Sequence, residues 1–332
     1  MSATGPRLPP VKIPPVLRPS RPSRGPARRA VLAGVLRHGA ALLVGLTAVV
    51  QAQPQSASAP TAAPCDKPVY LTFDTGHMGV APLIVDTLKR FDAKATFFLA
   101  QEPTMDGGQT LDDKWAPWWK QLAEQGHDFG SHTWYHDAWS ADLPDGKFRF
   151  KRAAGEQVPQ NVVLSAAEYC EELKRPARRF LEMTGRPMSM IFRAPAGRTS
   201  PALLAAAQAC GFRHVGWNPS GFLGDELPSD KFPNQALLEQ ALRRVKPGDI
   251  LMAHLGIWSR QDPWAPTVLE PLLQGLKNRG MCFAPLRDHP EYVAWMRRPQ
   301  EAVALKAAST PAPTTASGGG AGAPGAKDAL RR

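Results

Sequence analysis

Between residues 68 and 295 the chain alternates short apolar runs with longer amphipathic ones, a rhythm that points to a parallel α/β fold. Strands are predicted over 69–73, 95–99, 127–131, 190–192, 214–217, 250–253 and 281–286. Helices are predicted over 80–91, 115–124, 166–184, 201–209, 235–245 and 267–278. Two helices carry start signals: Ser165-Ala-Ala-Glu168 is a capping box, and Ser200-Pro201 puts proline at the first helical position. Gly185, Gly211 and Gly280 sit where helices should stop. Two connections, 101–114 and 137–164, are long, and the second contains the basic patch Lys147-Phe-Arg-Phe-Lys-Arg152. Loops of that length beside a site are usually lids or disordered segments.

Polar residues fall at telling places in this pattern. Asp74, His132, Arg193 and His254 each directly follow a predicted strand. In β/α barrels and open parallel sheets the C-terminal strand ends carry the site, because the loops converge there while the strands hold them rigidly. Four reactive side chains from separated stretches are therefore expected on one rim. His132 and His136 are spaced i, i+4, so one helical turn would set both imidazoles on one face, as a zinc site needs. Trp115, Trp118, Trp119, Trp134 and Trp139 lie in or beside the long connections, where an indole face could stack on a sugar ring or simply pack the core.

Leu71-Thr-Phe-Asp-Thr-Gly76, Gly130-Ser-His-Thr-Trp-Tyr-His136, Phe192-Arg-Ala-Pro-Ala-Gly197 and Gly248-Asp-Ile-Leu-Met-Ala-His254 occur in that order. Together they resemble the motifs of the polysaccharide deacetylase family, the NodB-homology carbohydrate esterases. The resemblance implies a distorted, incompletely closed (β/α)7 barrel that removes N-acetyl groups from amino sugars of a polysaccharide with the help of a divalent metal, zinc first, with cobalt or nickel as alternatives. It implies Asp74 as the base that takes a proton from the attacking water and His132 and His136 as metal ligands. It also implies Arg193 as the partner that keeps Asp74 ionised and His254 as the acid that protonates the leaving amine. Pro195 and Gly197 would shape the loop at the substrate, Trp217 would wall the pocket, and Trp134 would join the substrate-binding surface. Asp225 is the candidate to orient His254, although the fourth motif, over 215–226, is the least similar.

The chain departs from the family at Thr75, where the motif has a second aspartate that serves as the third metal ligand. A neutral hydroxyl is a poorer ligand for a divalent cation than a carboxylate. The Thr75 hydroxyl, a water, His77 or Asp137 are the candidates to replace it. Asp74-Thr75 and His136-Asp-Ala-Trp139 are also similar to the deformylases of a lipid-linked formamido sugar, a second substrate reading. A carbohydrate-binding module with an impaired site is a third.

The formal charge of +11 would suggest a nucleic-acid partner if it were spread over the chain. Instead, residues 1–52 carry eight positive charges and no acid and residues 297–332 a net of four, which leaves the middle at −1. No nucleic-acid partner is expected. Residues 1–52 read as a signal peptide or N-terminal anchor: a basic stretch, an apolar run over 40–50 and a small-residue site at Ala52. Export to the periplasm or cell surface follows, by a route that the adjacent Arg28-Arg29 leaves open. Residues 53–67 read as a linker, 68–296 as the deacetylase-like domain and 297–332 as a disordered low-complexity tail. Cys65, Cys170, Cys210 and Cys282 allow two disulfides in three pairings, or serve as small buried apolar groups. The expected partner is an acetylated amino-sugar polysaccharide, and the expected state a monomer.

Overall fold

The computed structural model describes residues 65–155 and 160–296. The expected signal segment, most of the linker and the tail lie outside these residues.

Each of the seven predicted strands has a counterpart: β1 (Pro68–Asp74), β2 (Thr96–Leu99), β3 (Asp128–Ser131), β7 (Ile191–Phe192), β8 (Arg213–His214), β9 (Ile250–His254) and β10 (Cys282–Ala284). They form one parallel sheet in the order β10-β1-β2-β3-β7-β8, with β9 paired to β1. β1 is central, since β9 runs beside it from Tyr70 to Asp74 while β10 pairs with its first half and β2 with its second. The sheet curls into an incompletely closed barrel. Between β8 and β9 the wall is completed by an irregular stretch, in which Phe222 bridges Met252 and the Asn218 side chain accepts the Ile250 N–H at 2.7 Å. Helices α1 (Ala81–Arg90), α2 (Ala116–Glu124), α3 (Ala166–Thr184), α4 (Pro201–Ala209), α5 (Asn234–Arg244), α6 (Leu269–Asn278) and the short α7 (Val293–Met296) complete the unit.

Strand parity decides which side chains face inward. Leu71, Phe73, Phe97, Phe129, Leu251 and Ala253 join the helix residues Ile84, Leu88 and Leu272 in the main core. The alternate positions Tyr70, Phe98, Ile191 and Ile250 form a separate inner cluster with Leu286, Tyr292 and Met296. Successive strand residues point to opposite faces, so the inward parity, carried to the strand ends, includes Asp74, His132, Arg193 and His254. Gly130 is required on the inner face, because a Cβ there would lie 2.7 Å from the Phe98 ring and 2.9 Å from Ile191.

The helix signals are realised. Ser165 and Glu168 form the reciprocal capping box of α3, Ser200 accepts the Leu203 N–H at 3.0 Å, and Gly185 closes α3 in the left-handed region at φ 68°. Trp119 is fully buried and donates its indole N–H to the Thr110 carbonyl, while Trp115 and Trp118 pack on the same core.

The connection over 137–164 departs from the expectation of a lid or disordered loop. It folds as a three-stranded antiparallel sheet of β4 (Asp137–Leu143), β5 (Lys147–Arg152) and β6 (Gln160–Ser165). The reason lies in Lys147-Phe-Arg-Phe-Lys-Arg152, which alternates with period two: Phe148 and Phe150 are buried against Tyr169 and Leu173 of α3, Lys147, Arg149 and Lys151 face outward, and Arg152 turns in to the buried Asp137. A basic patch in composition is a half-buried strand in pattern.

The cysteines pair as Cys65–Cys282 and Cys170–Cys210. The first ties the residues preceding β1 to β10, and the second ties α3 to the end of α4 across 40 residues of sequence. Replacing Cys170 and Cys210 together by alanine is expected to lower the unfolding free energy by about 2–4 kcal/mol, the range for closing a loop of this size. Urea denaturation of the oxidised protein and the double variant checks it, and equal midpoints would show that the bridge constrains nothing.

Candidate active site

Asp74 ends β1 and is buried, and Arg193, directly after β7, is 0 % exposed. The Arg193 Nη1 donates to Asp74 Oδ1 at 2.8 Å, joining residues 119 apart in sequence. The guanidinium is also stacked between the rings of Phe98, 4.3 Å from its centroid, and Trp217, at 5.4 Å, and donates to the carbonyls of Val215 and Gly216. Burial by itself would raise the Asp74 pKa. The Arg193 charge, followed by His132, His254 and the Arg193 hydrogen bond, outweighs it and holds the carboxyl below its ordinary value. Asp74 is therefore an ionised, oriented base in a dry setting.

His132 stands next to it, with Nε2 3.7 Å from Asp74 Oδ2. Burial, reinforced by His136, pushes His132 down to about 4 against the opposing pull of Asp74, Glu102 and the Arg193 carbonyl. The approach to Asp74 is thus a neutral imidazole beside a carboxylate rather than an ion pair. Nδ1 lies 2.9 Å from the Arg193 carbonyl, which makes it the protonated nitrogen and leaves Nε2 with a free lone pair.

The two histidines do meet, with ring centroids 4.9 Å apart, but not on a helical turn as their spacing predicts. Residues 132–136 form a loop in which Thr133 (φ 59°) and His136 (φ 52°) both take left-handed conformations. The Thr133 hydroxyl accepts the Asp137 N–H at 2.8 Å, a local side-chain bond that competes with helix.

His254 ends β9, in register with Asp74. Asp225 Oδ2 accepts its backbone N–H at 2.6 Å, and Asp225 Oδ1 is 3.1 Å from its Nδ1. Asp225 is thus buried and bound to His254. Burial alone would lower the His254 pKa. The Asp225 charge and hydrogen bond, with Asp74 and Glu226, outweigh it and raise it to about 9. At neutral pH this is a protonated, oriented imidazole, suited to giving up a proton.

Around these groups, Pro195 and Gly197 form a tight turn with Ala196 and Gly197 both at positive φ. A Cβ at Gly197 would lie 2.7 Å from the Trp217 ring, so only glycine lets the turn sit against that indole. Trp134 is partly buried on the main core, with the Arg175 guanidinium of α3 over its ring at 4.4 Å. Thr75 is buried beside Asp74, and its hydroxyl accepts the Ala100 N–H at 3.0 Å and donates to Glu102 Oε2 at 2.5 Å.

Three rim residues escaped the sequence reading: Glu102, Glu226 (Oε2 3.6 Å from His254 Nε2) and Trp258, which is 64 % exposed and packs edge-on to His77 at 5.1 Å. The signal was available, since each lies within a few residues of a strand end or a site residue already identified.

For a divalent cation, the donor set is incomplete but chemically suited. Among the described residues no three His, Cys, Asp or Glu side chains are gathered as a cluster able to hold a metal. Two adjacent imidazoles are in place, His132 with a free Nε2 and His136 with a buried Nδ1 that has no hydrogen-bond partner among the described residues. Imidazole nitrogens suit zinc, cobalt and nickel.

Residues 61–215 match the family model described as polysaccharide deacetylase, a span that includes Asp74, His132, His136 and Arg193 and stops before Asp225 and His254. A chitooligosaccharide deacetylase of Azorhizobium caulinodans is 28% identical over 233 residues, 66% of this chain and 92% of that protein. A peptidoglycan-N-acetylglucosamine deacetylase of Bacillus cereus is 25% identical over 232 residues, 68% of this chain and 90% of that protein. The solved family 4 acetyl xylan esterase from Clostridium thermocellum, in complex with a cobalt ion, superposes with a TM-score of 0.51 at 20% identity, covering 69% of this chain and 91% of that one; this likeness shows a shared fold.

The charge balance around His254 gives a direct expectation. Replacing Asp225 by Asn should move the His254 titration, followed by ring-carbon NMR, from about 9 back toward the ordinary value near 6.5. Because the folded-state pKa is raised, protonated His254 contributes stability that is complete below about 6.5 and lost as pH rises through about 9. The variant should lose that pH dependence; an unmoved titration would show that Asp225 does not set it.

Proposed function

The chain belongs to the polysaccharide deacetylase family, and on that premise we propose that its site hydrolyses N-acetyl groups of amino sugars in a polysaccharide. The observation that carries the reading is the pairing of an ionised Asp74 with a protonated His254 on adjacent strands, two groups whose surroundings drive their pKa values in opposite directions. Asp74 takes a proton from the attacking water while the water oxygen adds to the acetamide carbonyl. His254 then gives its proton to the nitrogen as the carbon–nitrogen bond breaks, releasing acetate and a free amine. Arg193 keeps Asp74 charged and aimed, and Asp225 does the same for the His254 imidazolium.

His132 and His136 are the residues that would hold a divalent cation, which supplies Lewis-acid polarisation of the carbonyl and lowers the pKa of water when bound. Trp217, Pro195 and Gly197 would form the wall against which the sugar rests. Residues 68–296 would be the catalytic domain.

The relatives are named for chitooligosaccharide and peptidoglycan N-acetylglucosamine, which favours an acetylated glucosamine polymer over a formamido sugar. A wall polymer of that kind lies outside the cell membrane and agrees with the export pattern of residues 1–52. A sugar-binding module has no chemical need for an acid and a base each held by its own buried partner.

Acetate release from acetylated glucosamine oligomers tests the proposal. D74N and H254A should each lower turnover by about 10²–10⁴-fold, the usual contribution of a general base or acid, with circular dichroism like the wild type. Chelation should abolish the wild-type activity, and zinc, cobalt or nickel should restore it. Sugar binding by both wild type and D74N, without acetate release by either, would overturn the enzyme reading in favour of a binding module.

A further inference from the structure

His132 and His136 are held in place by different means. His132 is aimed through its own ring, whose Nδ1 lies 2.9 Å from the Arg193 carbonyl. His136 has no hydrogen-bond partner at Nδ1 among the described residues, so its aim depends on the backbone that carries it. That backbone is left-handed at φ 52°, a conformation that a residue with a Cβ keeps only where its surroundings hold it. We propose that Arg152 is a positioning residue for His136, gripping the residues on both sides of it; the use made of His136 rests on the reading of the site as a metal-assisted deacetylase.

The residue after His136 is the buried Asp137, and Arg152 meets its carboxylate with both Nε and Nη2, each at 2.8 Å. Asp137, a candidate metal ligand from the sequence, is thereby committed to the guanidinium. The residue before His136 is Tyr135, and the same guanidinium lies 4.1 Å from its ring centroid. The Tyr135 backbone is tied as well. Its carbonyl accepts the N–H groups of Ala153 and Ala154, directly after Arg152, at 3.3 and 3.0 Å, and its N–H donates to Oε2 of the buried Glu172 of α3 at 3.2 Å. Glu172 Oε1 is in turn 3.7 Å from Arg152 Nη2 and from Arg175 Nη1, so two acids and two arginines balance beside the loop. A planar guanidinium can give a carboxylate two parallel bonds while its face lies on an aromatic ring, which an ammonium group cannot do.

Strand pairing delivers the grip. Asp137 opens β4, Arg152 closes β5, and the two are cross-strand partners. β5 is itself seated on α3 through Phe148 and Phe150. The sheet of β4, β5 and β6 thereby acts as a buttress for the histidine loop.

Histidine ring signals separate positioning from general support of the fold. The metal-stripped full chain with isotope-labelled histidine is compared by NMR for wild type, D137N/R152M, R152K and the core variant L273A, and each is assayed for acetate release with zinc restored. The double variant removes both charges of the buried pair, so neither is left without its partner. Its His136 signal should shift and broaden while that of His254 stays in place. Its kcat should fall by about 10–100-fold with KM near the wild type, the usual cost of losing a group that orients a metal ligand. R152K keeps the charge but not the fork, so it should fold even where the double variant does not, and show the same changes at smaller size. Leu273 is buried in the main core on α6, and L273A, destabilised by a cavity there, should keep the wild-type His136 signal and kcat. An unmoved His136 signal in R152K and D137N/R152M, wild-type kcat despite a moved signal, or equal changes in L273A would overturn the assignment. Absence of acetate release from the wild type would instead overturn the deacetylase reading and the catalytic half of the assignment, with the His136 signal still deciding the grip.

Discussion

The buried pair of Asp74 and Arg193 is the interaction on which the site depends. A guanidinium with no solvent exposure is tolerable only when its charge and its N–H donors are all answered, and desolvation makes the loss of any partner costly. Arg193 answers the requirement by joining distant parts of the barrel: the β1 carboxylate, the carbonyls of Val215 and Gly216 after β8, and the faces of Phe98 and Trp217. Its own carbonyl then orients His132. One residue holds the Asp74 carboxyl ionised, fixes the tautomer of His132 and packs on the Trp217 ring.

The same low-polarity surroundings push two histidines in opposite directions. His132 and His254 are both buried, and burial alone would leave both neutral. What separates them is how each is bonded: the carboxylate near His132, Asp74, is already paired with Arg193, and the direct partner of its Nδ1 is a backbone carbonyl, whereas His254 is bonded directly to the buried Asp225 carboxylate, with Glu226 nearby. A carbonyl fixes a tautomer without compensating a positive charge, whereas a carboxylate compensates it fully. The first arrangement suits a metal ligand and the second an acid.

Much of the barrel was legible because its strands are buried on both faces and read as continuous apolar runs between punctuating glycines and prolines. The sheet of β4, β5 and β6 was not, because its basic residues dominated the reading of 147–152 and masked the Phe148 and Phe150 alternation beneath them. The spacing of His132 and His136 correctly suggested that their rings meet but gave the wrong local structure, since a period of four is also met by a loop with two left-handed residues. Asp225 was reached only through the family resemblance, as it lies on an irregular wall segment with no periodicity to count from.

What the chain determined by itself was the parity of its strands, and with it the convergence of Asp74, His132, Arg193 and His254 on one inner rim, because side-chain alternation is a local property of extended backbone. What only the tertiary structure decided was who stands beside whom across long sequence separations. The pairing of β1 with β2 brings Glu102 to the Thr75 hydroxyl, and the completion of the barrel wall brings Asp225 to His254. Such contacts depend on how the loops at the strand ends pack together, and no local pattern encodes that distance.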